Sequence, residues 1–234
     1  MRIDQVNALV TGGSSGIGLE TARLLKTKGA NVVICGRDPV RVERAAEEIG
    51  ALGVAADVSV EHDAVRLVRT VIEHFGRYNT LINNAGFGIF APLVETNLAA
   101  MQRVFATNVF GAMLVARESA RHFVAQKYGN VVNVSSSAGK RGFAGGTAYA
   151  ASKFALSGLT ECWRAELRTA NVRVMQINPS EVQTEFRGRS GRETPSFSER
   201  KLVSADIAHA IISMLEMEDR GFVTELSVWA TNPD

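Results

Sequence analysis

Short runs rich in β-branched residues alternate along this chain with longer stretches whose apolar positions recur every three or four residues. That alternation predicts parallel strands joined by crossover helices. The strand-like runs are residues 6–11, 31–35, 52–56, 79–83, 130–135, 172–177 and 222–229. Over 64–75, Ala64, Val65, Val68, Val71, Ile72 and Phe75 follow the helical period, with Ser59 as the expected N-cap and Gly76 just past the end. Asp38-Pro39 supplies a cap and first turn for the preceding helix. Ser204, ahead of Ala205-Asp206-Ile207, opens the last one. The pattern lapses over about 180–203, and loops of that length are usually functional lids or disordered segments.

At 234 residues the chain is most simply one domain with a substantial core. A net charge of +2 argues for neither a nucleic-acid partner nor an acidic tail. The first residues lack the basic and apolar regions of a signal peptide, and no run of eighteen apolar residues offers a membrane span. The expectation is a cytoplasmic protein without a membrane partner. Cys35 and Cys162 read as small buried or half-buried side chains rather than a disulfide framework. His62, His74, His122 and His209 lack metal-ligand spacing, so no metal is expected.

The chemistry begins after the first strand. Thr11-Gly12-Gly13-Ser14-Ser15-Gly16-Ile17-Gly18 leads directly into a helix. Glycines there permit a tight turn and close backbone approach to a pyrophosphate resting on helix N-terminal amides. NAD-binding versions place an acidic residue about 20 residues on. Here the second strand ends in Cys35-Gly36-Arg37-Asp38, with no carboxylate at its tip. The Arg37 guanidinium suits a ribose 2′-phosphate. The expected cofactor is therefore NADP(H) rather than NAD(H). Asp57, beside Val58, suits an adenine amino group or an ordinary loop equally well. Asn83-Asn84-Ala85-Gly86 ends the fourth strand and suits a crevice where backbone meets ligand.

Tyr149 and Lys153 stand four apart, one turn along a helix, with Ser136 thirteen residues upstream of the tyrosine. A nearby cation favours a phenolate. Lowering a phenol from about 10 to about 7 takes roughly 4 kcal/mol. Such a tyrosine can give or take a proton at neutral pH.

Thr11 to Gly18, Asp57, Asn83 to Gly86, Asn108, Ser136, Tyr149 and Lys153, in that order and approximate spacing, resemble the short-chain dehydrogenase/reductase family over nearly the whole chain. The resemblance implies an α/β fold, one Rossmann-type doubly wound domain over 1–234 with a substrate loop at about 180–203. Its seven-stranded parallel sheet would run 3-2-1-4-5-6-7. It implies an oxidoreductase moving a hydride between NADP(H) and a ketone or secondary alcohol, similar to 3-oxoacyl thioester reductases. Tyr149 would be the acid/base, Lys153 its pKa-lowering partner and ribose ligand, and Ser136 the donor to the substrate oxygen. Asn108 would help hold a water linking Lys153 to solvent. Cofactor contacts would fall on Gly12, Ser14, Ser15, Gly16, Ile17, Gly18, Arg37, Asp57, Val58, Asn84, Ala85, Gly86, Tyr149, Lys153, Pro179, Val182 and Thr184. Homodimers or homotetramers would form through the helices at about 96–123 and 147–169.

Phe87, Phe90, Phe143 and Phe186 follow the motifs in loops at the sheet's carboxyl edge and are candidate substrate walls. Two departures stand out: Ser180-Glu181 after Pro179, where the family usually has glycine, and a last strand without a glycine pair. Asn133-Val134-Ser135 matches a glycosylation sequon but falls in an expected central strand. Arg187, Arg189 and Arg192 form a basic cluster that reads as solvated loop or as a site for an anionic part of a substrate. A cofactor-binding sensor or scaffold without turnover is the competing class.

Overall fold

The inner strands are buried on both faces, which is why they read as continuous apolar runs rather than alternating ones. The computed structural model describes residues 1–190 and 196–232, apart from the side chains of residues 187 and 189. Seven parallel strands make the main sheet: β1 (Asn7–Thr11), β2 (Asn31–Gly36), β3 (Leu52–Ala55), β4 (Thr80–Asn83), β5 (Gly129–Val134), β6 (Val172–Pro179) and, after a short parallel pair of β7 (Val182–Gln183) and β8 (Leu202–Val203), β9 (Glu225–Val228). Their spatial order is β3-β2-β1-β4-β5-β6-β9. Counting only the main sheet, this is the expected 3-2-1-4-5-6-7 arrangement, a single Rossmann-like α/β domain. The order reverses between β1 and β4, where such sheets open a ligand crevice at their carboxyl edge.

The helices are α1 (Gly16–Thr27), α2 (Pro39–Ile49), α3 (Glu61–Phe75), α4 (Leu98–Phe105), α5 (Ala112–Gln126), α6 (Thr147–Leu167), the short α7 (Phe186–Arg189) and α8 (Ser204–Glu216). On one face Val10, Ile34, Val132 and Ile177 pack with Leu25 and Ile211. On the other Leu9, Val33, Leu81 and Val131 pack with Leu67, Val71 and Phe123. Adjacent strand residues such as Leu9 and Val10 thus serve opposite cores, as the period of two requires.

Asp38 caps α2 as expected, accepting from the Arg41 amide at 3.1 Å, with Pro39 in the first turn. Ser59 does not cap α3. Val60 holds that position, and the Ser59 hydroxyl instead donates to Asp57 at 2.7 Å. Cys162 is exposed, against the expectation of burial. Leu98–Gln126 forms one helical run of 29 residues with a mean hydropathy of 1.3 in its most apolar window, long and apolar enough to cross a membrane by length and composition. It is not an unbroken apolar run, since Gln102, Arg103, Thr107 and Asn108 interrupt it. Val104, Val115 and Phe123 within it are fully buried, as in the core-facing helix of a layered domain.

The stretch at 180–203 is not featureless. Its ends zip together through Val182↔Leu202 and Gln183↔Val203. The Gln183 amide also bonds the Ser198 backbone at both its N–H and its C=O, each at 2.7 Å. Arg192 and the side chains of Arg187 and Arg189 lie outside the described residues, so the expected basic cluster does too.

Candidate active site

One cleft of about 740 Å³ runs along the carboxyl edge of the sheet. That size suits a small-molecule site. Every expected site residue lines it except Gly18 and Asn108. Both stand behind the wall. A Cβ at Gly18 would come within 2.4 Å of the Gly12 carbonyl oxygen, so this glycine serves the packing of α1 on the turn.

At the adenosine end, Gly12 and Gly16 have φ of +63° and +54°, a left-handed backbone that favours glycine. Ser15 occupies the N-cap of α1 without a side-chain capping bond. The orphan amides of that first turn, at Gly16 and Ile17, therefore remain for a ligand. A pyrophosphate fits this cradle. Thr11 Oγ1 accepts from the amides of Asn84 and Ala85, both at 3.0 Å, and Asn84 Nδ2 returns to the Thr11 carbonyl at 2.9 Å. These bonds lock the ends of β1 and β4 beside the turn. Cys35 lies beneath it, its thiol pushed up to about 12 by burial, and so is inert. Asp57 spends Oδ1 on the Ser59 amide and hydroxyl, leaving its other oxygen for a donor.

Gly36 ends β2 and Arg37 follows it, exposed and lining the cleft. Among the described residues no carboxylate pairs with Arg37. Arg41, one helical turn on, was not anticipated. Its Nε donates to the Ser14 carbonyl at 3.4 Å, and it pairs with Glu185 at 2.5 Å. That pair spans the cleft mouth between α2 and the segment leading into α7. A partner 144 residues away leaves no local signal.

At the other end, Ser136 caps a short 3₁₀ turn, Ser137–Gly139, accepting from the Ala138 amide at 3.1 Å. Its hydroxyl hydrogen is left to donate elsewhere. Ser135 instead turns its hydroxyl to the Lys153 carbonyl at 3.4 Å, which separates the two serines by role. Lys153 is only 5% exposed; its Nζ donates to the Val134 carbonyl at 2.8 Å and stands 5.8 Å from the centre of the Tyr149 ring. Burial lowers its pKa to about 8, so it is still mostly a cation at pH 7. A cation this near the ring favours the phenolate form, which is the direction an acid/base tyrosine needs.

Asn108 lies in a π-helical stretch, Ala106–Gly111, between α4 and α5. Such wide turns often mark functional sites. Its Nδ2 hydrogens go to the Phe87 carbonyl at 2.9 Å and Ser152 Oγ at 3.0 Å, and its Oδ1 accepts from the Phe87 amide at 3.0 Å. With both amide hydrogens used, the side chain clamps the cleft wall from behind instead of lining it.

Four phenylalanines gather with Tyr149 along the cleft. Phe90 lies 5.5 Å from the Tyr149 ring and 6.0 Å from Phe143, and Tyr149 lies 5.4 Å from Phe186. Phe87 joins them in lining the cleft. The Ser180-Glu181 departure is benign. Ser180 has no left-handed φ that would call for glycine, and its amide bonds the Val228 carbonyl at 2.9 Å. Glu181 pairs with Lys201 at 3.9 Å. The sequon asparagine, Asn133, is fully buried.

A doubly wound sheet with acid/base groups at its carboxyl edge and a phosphate cradle beside them defines a class, the oxidoreductases that use a nicotinamide dinucleotide. Within it, the chain belongs to the short-chain dehydrogenase family, whose model matches residues 6–194. Such enzymes act on CH–OH and C=O groups. The chain is 38% identical over 191 residues to YxnA of Bacillus subtilis (strain 168), named an uncharacterized oxidoreductase, matching 78% of this chain and about half (53%) of that one. It is 31% identical to the human 3-oxoacyl-[acyl-carrier-protein] reductase, with 92% of each covered. The solved 3-ketoacyl-(acyl-carrier-protein) reductase from Brucella melitensis, complexed with NADH, superposes with a TM-score of 0.85 at 29% identity over 96% of both chains.

Proposed function

We propose that this protein is an NADP(H)-dependent reductase of ketones or 3-oxoacyl thioesters. The observation that carries the reading is the meeting of Tyr149, buried Lys153 and Ser136 in the cleft that also holds the uncapped end of α1. When bound, the nicotinamide ring supplies or accepts the hydride. Ser136 and Tyr149 donate to the substrate oxygen as negative charge builds there, and Tyr149 gives up its proton. Lys153 holds the phenol's pKa down and meets the nicotinamide ribose. Asn108 keeps the backbone at Phe87 in register with the ring of Tyr149.

The cofactor preference rests on Arg37, a guanidinium without a carboxylate partner among the described residues, after a strand tip that offers no acid. The Brucella melitensis relative was solved with NADH, so the nucleotide has to be tested directly. The expected result is a kcat/KM ratio of NADPH to NADH well above one, falling about tenfold or more in Arg37→Ala. A ratio at or below one in the unaltered protein overturns the preference. Tyr149→Phe is expected to lose nearly all turnover on a ketone panel while still binding NADPH. A sensor would keep its behaviour in that variant, and no observation here favours one.

We also propose a homodimer or homotetramer. Leu98, Phe110 and Phe154 are exposed apolar side chains on the helical segments where family members associate. Light scattering that gives a single 25.2 kDa species would exclude it.

A further inference from the structure

Six charged side chains line the cleft: Arg37, Asp57, Arg141, Lys153, Glu181 and Glu185. Four have partners. Asp57 accepts from Ser59, Lys153 is buried on the Val134 carbonyl, Glu181 faces Lys201 and Glu185 faces Arg41. The two cations left without a side-chain partner among the described residues stand at opposite ends. Arg37 lies at the adenosine end. Arg141 lies at the end framed by Tyr149 and Phe143.

Arg141 is held there by its own backbone. It follows the turn that Ser136 caps, and its amide donates to the Ser137 carbonyl at 3.2 Å. Its neighbour Lys140 is pulled the other way, paired with Glu225 at 2.7 Å. A Cβ added at Gly142 would meet nothing within 4 Å, so this rim is open. The adjacent wall is apolar, with Phe143 against Phe90 and Phe90 against the Tyr149 ring. A carbonyl held at Tyr149 would thus lie along an aromatic slab that ends in an unneutralised guanidinium. Glu181 and Glu185 are already matched to Lys201 and Arg41, and Asp57 is engaged by Ser59 beside Val58, so these acids do not cancel it.

We propose that Arg141 is the substrate-side anion site, selecting carbonyl compounds that carry a carboxylate or phosphate beyond an apolar segment. This deepens the reductase reading and rests on it. A guanidinium forms paired, charge-assisted bonds with either group.

The experiment compares 2-, 3-, 4- and 5-oxo acids with their methyl esters, and a phosphate-bearing ketone, in the unaltered protein and in Arg141→Gln. At the length that spans the slab, the acid is expected to have a KM at least tenfold below that of its ester. A phosphate ketone with the lower KM identifies phosphate as the favoured anion, and the oxo acid with the lower KM identifies carboxylate. Arg141→Gln should erase the gap by raising KM for the anion, with kcat and the ester unchanged. Rising salt should weaken the acid only. Saturated carboxylates of the same lengths, titrated calorimetrically into cofactor-free protein, should bind the unaltered chain and lose that binding in the variant. Esters turned over as well as acids, or a variant that leaves the ratio intact, overturn the proposal while the reductase reading stands. No turnover of any of these compounds or of a 3-oxoacyl thioester, together with no carboxylate binding, overturns both.

Discussion

Lys153 is a buried ammonium whose partners among the described residues are a carbonyl and an aromatic ring, with no carboxylate, and that has a cost in stability. Its folded pKa is lowered to about 8 by burial, from an ordinary value near 10.5. Between those two values the unfolded chain binds more protons than the folded one, so this group's contribution to stability rises with pH across that window. Below about pH 8 the charge is a fixed penalty of roughly 3 kcal/mol. Lys153→Met, cofactor-free, should therefore be more stable than the unaltered protein by about 2 kcal/mol at pH 7, after loss of the Val134 bond. The gap should close by about pH 10.5. Urea midpoints at the two pH values check this, and a variant less stable at pH 7 would contradict it. The same substitution should abolish turnover, a case of function retained at the expense of stability.

At the scale of an element, the π-helical stretch does what a regular helix could not. It interrupts the Leu98–Gln126 run and carries Asn108 to the back of the cleft, where it joins α6 through Ser152 to the backbone at Phe87. Asn108 is 1% exposed and its amide is used in full. Asn108→Ala would leave the half-buried Phe87 N–H and C=O and the buried Ser152 hydroxyl without that partner, at about 1 kcal/mol for each lost bond. A loss of about 3 kcal/mol is expected in urea denaturation, with KM for the nucleotide rising because Gly86 and Phe87 line its cleft. Unchanged nucleotide affinity in the folded variant would reduce Asn108 to ordinary packing.

Across the whole molecule the sheet has two edges with different work. At the amino edge a relay of amides crosses five strands. Asn31 Nδ2 donates to Asn7 Oδ1 at 2.9 Å, the Asn7 amide to Asn79 Oδ1 at 3.0 Å, Asn130 Nδ2 to the Asn79 carbonyl at 3.2 Å, and Arg173 Nε to Asn130 Oδ1 at 2.6 Å. Arg173 then donates to the Met217 and Leu215 carbonyls at the end of α8. The inner part of this relay, Asn79, Asn130 and Arg173, is buried and helps specify register, since a slipped strand would leave its amides unpaired. Arg173→Met should lower stability by about 3 kcal/mol, yet leave KM for nucleotide and substrate unchanged in the folded protein. The relay is remote from the carboxyl edge, so an altered KM would show that the two edges are coupled.

The hydrophobic pattern alone specified the main-sheet strands and their crossovers, because parallel strands buried on both faces cannot hide their composition; their order came from the family resemblance. The Gly12–Gly18 turn and the Tyr149–Lys153 pair were legible because each is bound to a fixed local geometry, a positive φ and one turn of helix, whereas Ser136 was singled out from Ser135 and Ser137 only by the family resemblance. Arg41 with Glu185, the clamp of Asn108 on Phe87, the zip of β7 on β8 and the cleft-facing position of Arg141 were not legible. Each depends on which distant side chains neutralise or satisfy one another. Local sequence carries backbone preference and periodicity, but charge pairing and hydrogen-bond satisfaction are settled only when separate segments meet in space.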